Sequence, residues 1–307
     1  LALRSTPTLP RMSAAVSSER PVTVVTGANS GIGRATSIHL ARAGHRVIGT
    51  VRSRDKAAKL DAMASDAGVA VELVELDVAD DASVAEGFAE ILDMAGRVDH
   101  LVNNAGIGGN SVAEECPPEM YLSVMNVNLC GAVRCIQAVL PQMRERGSGT
   151  IVNITSVAGR IAALAQSPYV ASKWAFEGFS EGLAQELAPF GIRVAIIEPG
   201  VTKSAIFAKN VDAPNSTGAY EVHYRRMFQF YAAGMANATD PFEVGETIQR
   251  AIESTEPHLR YPVSWGGAEM AELHDRIDDG DWIALGAIEE DEAYYERFHQ
   301  VFGLELR

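Results

Sequence analysis

Tyr169 and Lys173 stand four residues apart in the run SPYVASKWAFEGF, and Ser156 precedes the tyrosine by thirteen residues. On a helix, that spacing puts a phenol and an ammonium on one face. A nearby positive charge favours phenolate, so it lowers a tyrosine pKa that starts at about 10. The pair could then give and take a proton near neutral pH, while a serine hydroxyl beside it holds a carbonyl oxygen. By itself the same spacing also describes an amphipathic helix with a surface lysine. The elements that would position these residues decide between the two.

From Pro21 to Pro199, short β-branched apolar runs alternate with longer segments of helical periodicity. The expected strands are 22–26, 46–51, 71–76, 99–104, 150–155 and 193–198. Helical stretches such as GRATSIHLARAG and Glu119 to Arg146 lie between them. This alternation predicts an α/β, doubly wound, Rossmann-like fold with a parallel sheet in a single domain. Residues 201–240 read as irregular and rich in aromatics and methionine, including Phe207, Tyr220, Tyr224, Met227, Phe228, Phe230, Tyr231 and Met235. A helix is expected at 241–254 and a strand at 258–263. The last forty residues read as acidic helices or surface segments.

TGANSGIGR closes the first strand. Gly27, Gly31 and Gly33, with Asn29, Ser30 and Ile32 between them, would let the backbone approach a pyrophosphate at a helix N-terminus. Asp77, followed by Val78, ends the third strand; it could accept from an adenine amine or cap a helix, and Asp80 or Asp81 suits the cap better. Asn103, Asn104, Ala105 and Gly106 follow the fourth strand, with the small and amide side chains that a close ribose approach and a sheet brace need. The second strand ends in Val51 and Arg52, without the acid that an NAD site usually offers to the ribose 2′-hydroxyl. Arg52 and Arg54 instead supply positive charge suited to a 2′-phosphate. The expectation is therefore NADP(H) in preference to NAD(H), with Asp55 as the nearby residue that could reverse it. Gly27, Arg52, Asp77, Asn103, Ser156 and Pro199 each fall at or just beyond the end of a different strand, where open parallel sheets bind ligands.

The composition of the 307 residues is that of a globular core with a solvated surface: 47% hydrophobic and 21% charged. A net charge of −14 argues against a nucleic-acid partner. No uninterrupted apolar run is expected to span a bilayer. Cys116, Cys130 and Cys135 have neither metal-ligand nor paired spacing, and the scattered histidines suggest no metal site. A cytoplasmic protein with reduced thiols is expected. Residues 1–20 read as a disordered or processed lead-in, with Met12 as a candidate initiator.

With these motifs in view, the sequence resembles the short-chain dehydrogenase/reductase family, in its compact one-domain branch. The resemblance runs over about residues 21–265 and leaves 266–307 as an extension without an assigned role. It rests on TGANSGIG, Asp77–Val78, NNAG, the asparagine of VNLCG, Ser156, YVASK and EPGVTKS. It implies a seven-stranded parallel sheet, a nicotinamide cofactor and metal-free interconversion of alcohols and carbonyls. Tyr169 would be the acid/base. Lys173 would bind the nicotinamide ribose and hold the tyrosine pKa down. Ser156 would orient the substrate oxygen, and Asn128 would hold a water that links Lys173 to solvent. Pro199, Gly200, Thr202 and Ser204 would line the nicotinamide carboxamide. Family members commonly form dimers and tetramers through the helices that correspond to 119–146 and 168–189.

VIGTVRSRDK, RRMFQFYAAG and LRY further resemble the branch with 17β-hydroxysteroid and retinol dehydrogenases. Residues 201–240 would be the substrate loop. Their content suits a lipophilic ketone, steroid- or retinoid-like, or else packs a lid helix onto the core. The histidine expected for steroid recognition has no counterpart after Phe230. One alternative is a 3-oxoacyl or polyketide-type ketoreductase, for which Lys203, Lys209, Arg225 and Arg226 are the basic residues available to dock an acidic carrier. Another is a non-catalytic NADP(H)-binding regulator, although such proteins usually lose part of the Ser–Tyr–Lys set.

Overall fold

The computed structural model describes residues 20–204, 214–274 and 276–307. Met12, Phe207, Lys209 and most of the expected lead-in lie outside the described residues. Arg20 belongs to the fold rather than to the lead-in: its guanidinium donates to the carbonyls of Gly44 and His45 at 3.0 and 2.6 Å.

Seven parallel strands form one sheet in the order β3-β2-β1-β4-β5-β6-β7. They are β1 Val22–Val25, β2 Arg46–Val51, β3 Glu72–Glu75, β4 His100–Asn103, β5 Gly149–Ile154, β6 Ile192–Pro199 and β7 Arg260–Val263. Because helices cover both faces, the central strands are near-continuous apolar runs. All four residues of β1 are buried.

On one face, α1 (Gly31–Arg42) packs against Pro241–Glu253, the helix expected at 241–254. Gly245 permits the close approach, since a Cβ there would lie 3.2 Å from the Cβ of His39. α2 (Ala58–Asp66) lies on the same side, with Leu60 and Ala64 packed near Ile38. On the other face lie α3 (Asp81–Ala95), the pair α4 (Pro118–Met125) and α5 (Gly131–Arg146), and α6 (Ser167–Leu187). A single π turn, Asn126–Cys130, joins α4 to α5. Pro118–Arg146 is long and apolar enough to cross a membrane by length and composition alone, although charged residues interrupt it. In this fold its Ile136, Val139 and Met143 are spent on the core beside Ile151 and Leu183.

One expectation for the C-terminal third needs correction. Residues 201–240 are not irregular throughout, because α7 (Glu221–Ala236) occupies much of the segment. The tail beyond 266 is helical, one of the two forms expected of it, and its helices pack into the fold. With α8 as Pro241–Glu253, the tail forms α9 (Gly267–His274), α10 (Asp279–Gly286) and α11 (Asp291–Phe302). Tyr294, Phe298, Phe302, Leu304 and Leu306 are buried there in one cluster with Val157 and Ile161.

Candidate active site

The strand order reverses between β1 and β4, and a cavity of about 550 Å³ opens at the carboxyl edge of the sheet there. It is lined by Gly27, Asn29, Ser30, Gly31, Ile32, Arg52, Asp77 and Val78 at one end. Asn104, Ala105, Gly106, Ser156, Tyr169, Lys173, Pro199, Gly200, Thr202 and Ser204 complete the predicted set. Gly33 and Asn128 sit behind this wall rather than on it.

The glycine turn is built to be narrow. Gly27 and Gly31 have φ of 66° and 49°, the left-handed region that favours glycine. A Cβ on Gly33 would come within 2.4 Å of Asn104 Nδ2 and of the Gly27 carbonyl oxygen. Asn104 braces this turn, donating from Nδ2 to the Thr26 carbonyl at 2.8 Å. Thr26 Oγ1 in turn accepts from the backbone N–H groups of Asn104 and Ala105, both at 3.0 Å. Ser30 stands at the N-cap of α1, yet its side chain caps nothing. A backbone cradle closed to side chains, a spare hydroxyl and a helix N-terminus together fit a pyrophosphate.

Arg52 lines the far end of the cavity with an exposed side chain. Arg54 does not join it: its guanidinium pairs with Glu90 at 3.2 Å and its N–H donates to Glu75. Asp55 is exposed and off the cavity wall. Asp77 accepts from the Ala79 N–H at 3.0 Å, while Asp80 caps α3 by accepting from Ser83 N–H at 2.7 Å. The cap therefore belongs to Asp80, and Asp77 keeps its place on the cavity. Asn103 points into the sheet instead, donating to Asn153 Oδ1 at 2.9 Å.

Ser156 is 8% exposed. Its hydroxyl donates to the Pro199 carbonyl at 3.3 Å and accepts from the Ala158 N–H at 3.1 Å. That fixes Oγ at the end of β5, on the wall of the cavity that Tyr169 also lines. Lys173 is 6% exposed and donates from Nζ to the Ile154 carbonyl at 2.9 Å. The ammonium lies 5.6 Å from the centre of the Tyr169 ring.

The protonation states depart from expectation. Burial pushes the Tyr169 phenol up, and the hydrogen bond with Ser156 only partly opposes it. Lys173 is not among the groups that shift the tyrosine, and burial brings its own pKa to about 8. Glu177, one turn along α6, works in the opposite direction on Lys173. Glu177 is itself anchored by Arg260 Nε at 3.1 Å, and Arg160 and Arg260 both reach Glu198, at 3.2 and 3.4 Å.

Asn128 is 1% exposed in the π turn, a distortion frequent at functional sites. Its Oδ1 accepts from the Ile107 N–H at 2.8 Å. Its Nδ2 donates to the Ile107 carbonyl and to Ser172 Oγ, both at 2.9 Å. The side chain thus ties the loop after β4 to α6, next to Lys173. Thr202 shares a 2.7 Å hydrogen bond with Ser264. Gly200 is dictated by packing, since a Cβ there would meet the Trp265 carbonyl oxygen at 2.1 Å.

Of the aromatic residues expected to form a lipophilic pocket, only Phe230 and Tyr231 line the cavity among the described residues. Tyr224 and Met227 pack α7 against Val112 and Ala165. Val157, Ile161 and Met270 supply the remaining apolar wall, the last from the C-terminal tail. No pattern in the sequence singled out Asn110 or Gln166, yet both line the cavity. The available clue was Gln166's place one turn before Tyr169. Arg225 and Arg226 do not present a basic patch, because both pair with Asp291.

A family model described as short chain dehydrogenase matches residues 21–215. The chain is 35% identical over 254 residues to the uncharacterized oxidoreductase YusZ of Bacillus subtilis, covering 80% of this chain and 90% of that one. It is also 35% identical to human 17-beta-hydroxysteroid dehydrogenase type 1, over 79% of this chain and 77% of that one. A crystal structure of a single-substitution variant of actinorhodin polyketide ketoreductase with NADPH superposes with a TM-score of 0.68 at 32% identity, over 76% of this chain and 90% of that one. With its seven-stranded parallel sheet and glycine turn, the protein belongs to the short-chain dehydrogenase/reductase family of oxidoreductases.

Proposed function

We propose that this enzyme interconverts a carbonyl and a secondary alcohol on a lipophilic substrate, with NADP(H) as its cofactor. The observation that carries this reading is the meeting of Ser156, Tyr169 and Lys173 in the same cavity as the glycine turn and Arg52. The NADPH in the actinorhodin ketoreductase structure supports the choice of cofactor. The glycine turn and α1 would hold the pyrophosphate, Arg52 the 2′-phosphate, Asp77 the adenine, and Lys173 the nicotinamide ribose. Pro199, Gly200, Thr202 and Ser204 would flank the carboxamide.

When bound, the nicotinamide supplies hydride. The chain's own residues handle the oxygen and its proton. Ser156 Oγ, fixed by Pro199 and Ala158, orients the carbonyl oxygen. Tyr169, kept neutral by burial, donates its proton as negative charge develops on that oxygen. Lys173 places positive charge beneath the tyrosine ring. Asn128 fixes the loop at Ile107 and, in the relay that the family resemblance implies, links Lys173 to solvent through a water. The apolar wall of Val157, Ile161, Phe230 and Met270 favours a substrate with substantial hydrocarbon surface.

The similarity to 17-beta-hydroxysteroid dehydrogenase type 1 supports a steroid- or retinoid-sized ketone as one candidate. Exposed Leu122 and Trp174, on α4 and α6, support assembly into a homodimer or homotetramer through these helices. The free thiols Cys116, Cys130 and Cys135 fit a reducing, cytoplasmic setting. Titration with NADPH and NADH, followed by the cofactor's absorbance with a ketone panel, tests the proposal. Tighter NADPH binding with turnover is expected, and Arg52→Ala should weaken NADPH about tenfold while changing NADH little. Binding without turnover of any ketone would instead make the protein a cofactor-sensing regulator.

A further inference from the structure

Beside the cavity lies a cluster of charges that the proposed proton transfer does not use. Glu177 on α6 is 4% exposed, and Glu198, near the end of β6, is 1% exposed. Neither lines the cavity. Carboxylates are almost never buried this far unless they are paired. Arg260 on β7 supplies one pairing. Its Nε donates to Glu177 Oε2 at 3.1 Å and lies 3.4 Å from Glu198 Oε1, while its Nη2 donates to Glu181 Oε2 at 2.8 Å. Arg160 supplies the other, donating from Nη1 to Glu198 Oε1 at 3.2 Å. The cluster joins α6, β6, β7 and the turn that follows Ser156.

The cluster is tied to the backbone around Ser156 and Lys173. Glu198 adjoins Pro199, whose carbonyl accepts from Ser156 Oγ. Gly159, three residues past Ser156, sits against α6. A Cβ there would come within 2.8 Å of the Lys173 carbonyl oxygen and 2.9 Å of Glu177 Cγ. Glu177 follows Lys173 by four residues on α6, a separation at which side chains are neighbours, about 5–6 Å apart. Oε2 of Glu177 is spent on Arg260, but its Oε1 is buried with no hydrogen-bond partner among the described residues. The Thr155 hydroxyl nearby donates instead to the Ile197 carbonyl at 3.0 Å. A buried oxygen left without a hydrogen bond costs free energy, and an ammonium one turn away offsets that cost through its charge. Lys173 has the converse need, because its ammonium donates to the neutral Ile154 carbonyl.

We infer that Glu177 is a positioning residue for Lys173, a carboxylate fastened by Arg260 that holds a compensating negative charge one turn behind the ammonium. The inference rests on the carbonyl–alcohol reading of the site, in which Lys173 places positive charge beneath the Tyr169 ring. Burial works against that charge and Glu177 works for it. Burial also pushes the Glu177 carboxyl up, while Arg260 and Arg160 pull it down and so favour its ionised form. The charged groups around Glu177 are Lys173 and Glu181 on its own helix, Arg160 from the turn after Ser156, Glu198 from β6 and Arg260 from β7.

The test is the pH profile of kcat/KM for reduction of a responsive ketone with NADPH, with thermal unfolding of the same preparations. In wild-type enzyme, loss of the Lys173 ammonium should set an alkaline fall with a midpoint near about 8. Glu177→Gln keeps the shape and removes the charge, so that midpoint should move down by about one pH unit. Glu177→Gln combined with Arg260→Gln removes both partners of the pair. It should show the same downward shift and gives a second reading if the single variant folds poorly. A merely structural tie would lower the unfolding temperature without moving the midpoint. An unmoved or raised midpoint in a variant that folds would therefore overturn the inference and leave the carbonyl–alcohol reading standing. Wild-type enzyme that binds NADPH but reduces no ketone would overturn both.

Discussion

At the residue scale, the proposed chemistry rests on how burial sets the resting protonation states of two side chains. Burial raises the Tyr169 phenol, which suits the proton donor proposed above, and brings Lys173 to about 8. The i, i+4 spacing identified the pair but not the direction of the tyrosine's shift. Spacing reports distance along a helix, whereas the enclosure that raises the phenol is created by β5, β6 and the cavity walls. A pH dependence follows. The folded pKa of Lys173 lies below its ordinary value of 10.5. Between about 8 and 10.5 the unfolded chain binds more protons than the folded one, so Lys173 contributes a rise in stability across that window. Below it, the fold bears the cost of a buried ammonium. Denaturant unfolding at about pH 7.5 and about pH 9.5 should show a gain that shrinks in Lys173→Met, and an identical gain in the variant would remove Lys173 as its source.

At the element scale, the strand-to-helix turns set the site. Gly33 does not touch the cavity, yet it controls it, because α1 can approach the turn only without a Cβ. Gly33→Ala would force Asn104 off the Thr26 carbonyl. It should cost about 1–3 kcal/mol of stability and weaken cofactor binding by about tenfold or more, measured by unfolding and by fluorescence titration. The strands were legible because a sheet covered on both faces requires β-branched runs, and 46–51 matches β2 residue for residue. α7 was not legible. Tyr224, Met227 and Tyr231 serve packing against Val112 and Ala165, a tertiary demand that leaves no clean helical stripe. Asn110 and Gln166 escaped notice because a single polar residue in a pocket wall has no period to reveal it.

At the scale of the whole molecule, the C-terminal tail contributes Met270 to the wall of the candidate site. Phe298 packs on Phe302 with ring centres 4.4 Å apart and reaches Phe230 at 6.2 Å. Phe230 and Met270 then face the cavity. Arg226 fastens α7 to the tail from the other side, its guanidinium 4.3 Å from the centre of the Tyr294 ring and paired with Asp291. Acidic composition suggested helices or surface segments here but hid their packing, which the interspersed aromatics carry. Phe298→Ala should cost about 3–5 kcal/mol of stability. Because Phe230 loses its support, KM for an apolar ketone should rise more than kcat falls. Steady-state kinetics on the folded fraction checks this, and an unchanged KM would separate the tail from the substrate wall.

The proposed mechanism turns on Tyr169 as the proton donor in a carbonyl–alcohol interconversion. Its most direct test is reduction of a responsive ketone by Tyr169→Phe, with NADPH affinity measured on the same preparation. The predicted result is a loss of kcat of about 10²–10⁴-fold with NADPH affinity within about twofold of wild type. Near-normal turnover in that variant would contradict the role of Tyr169.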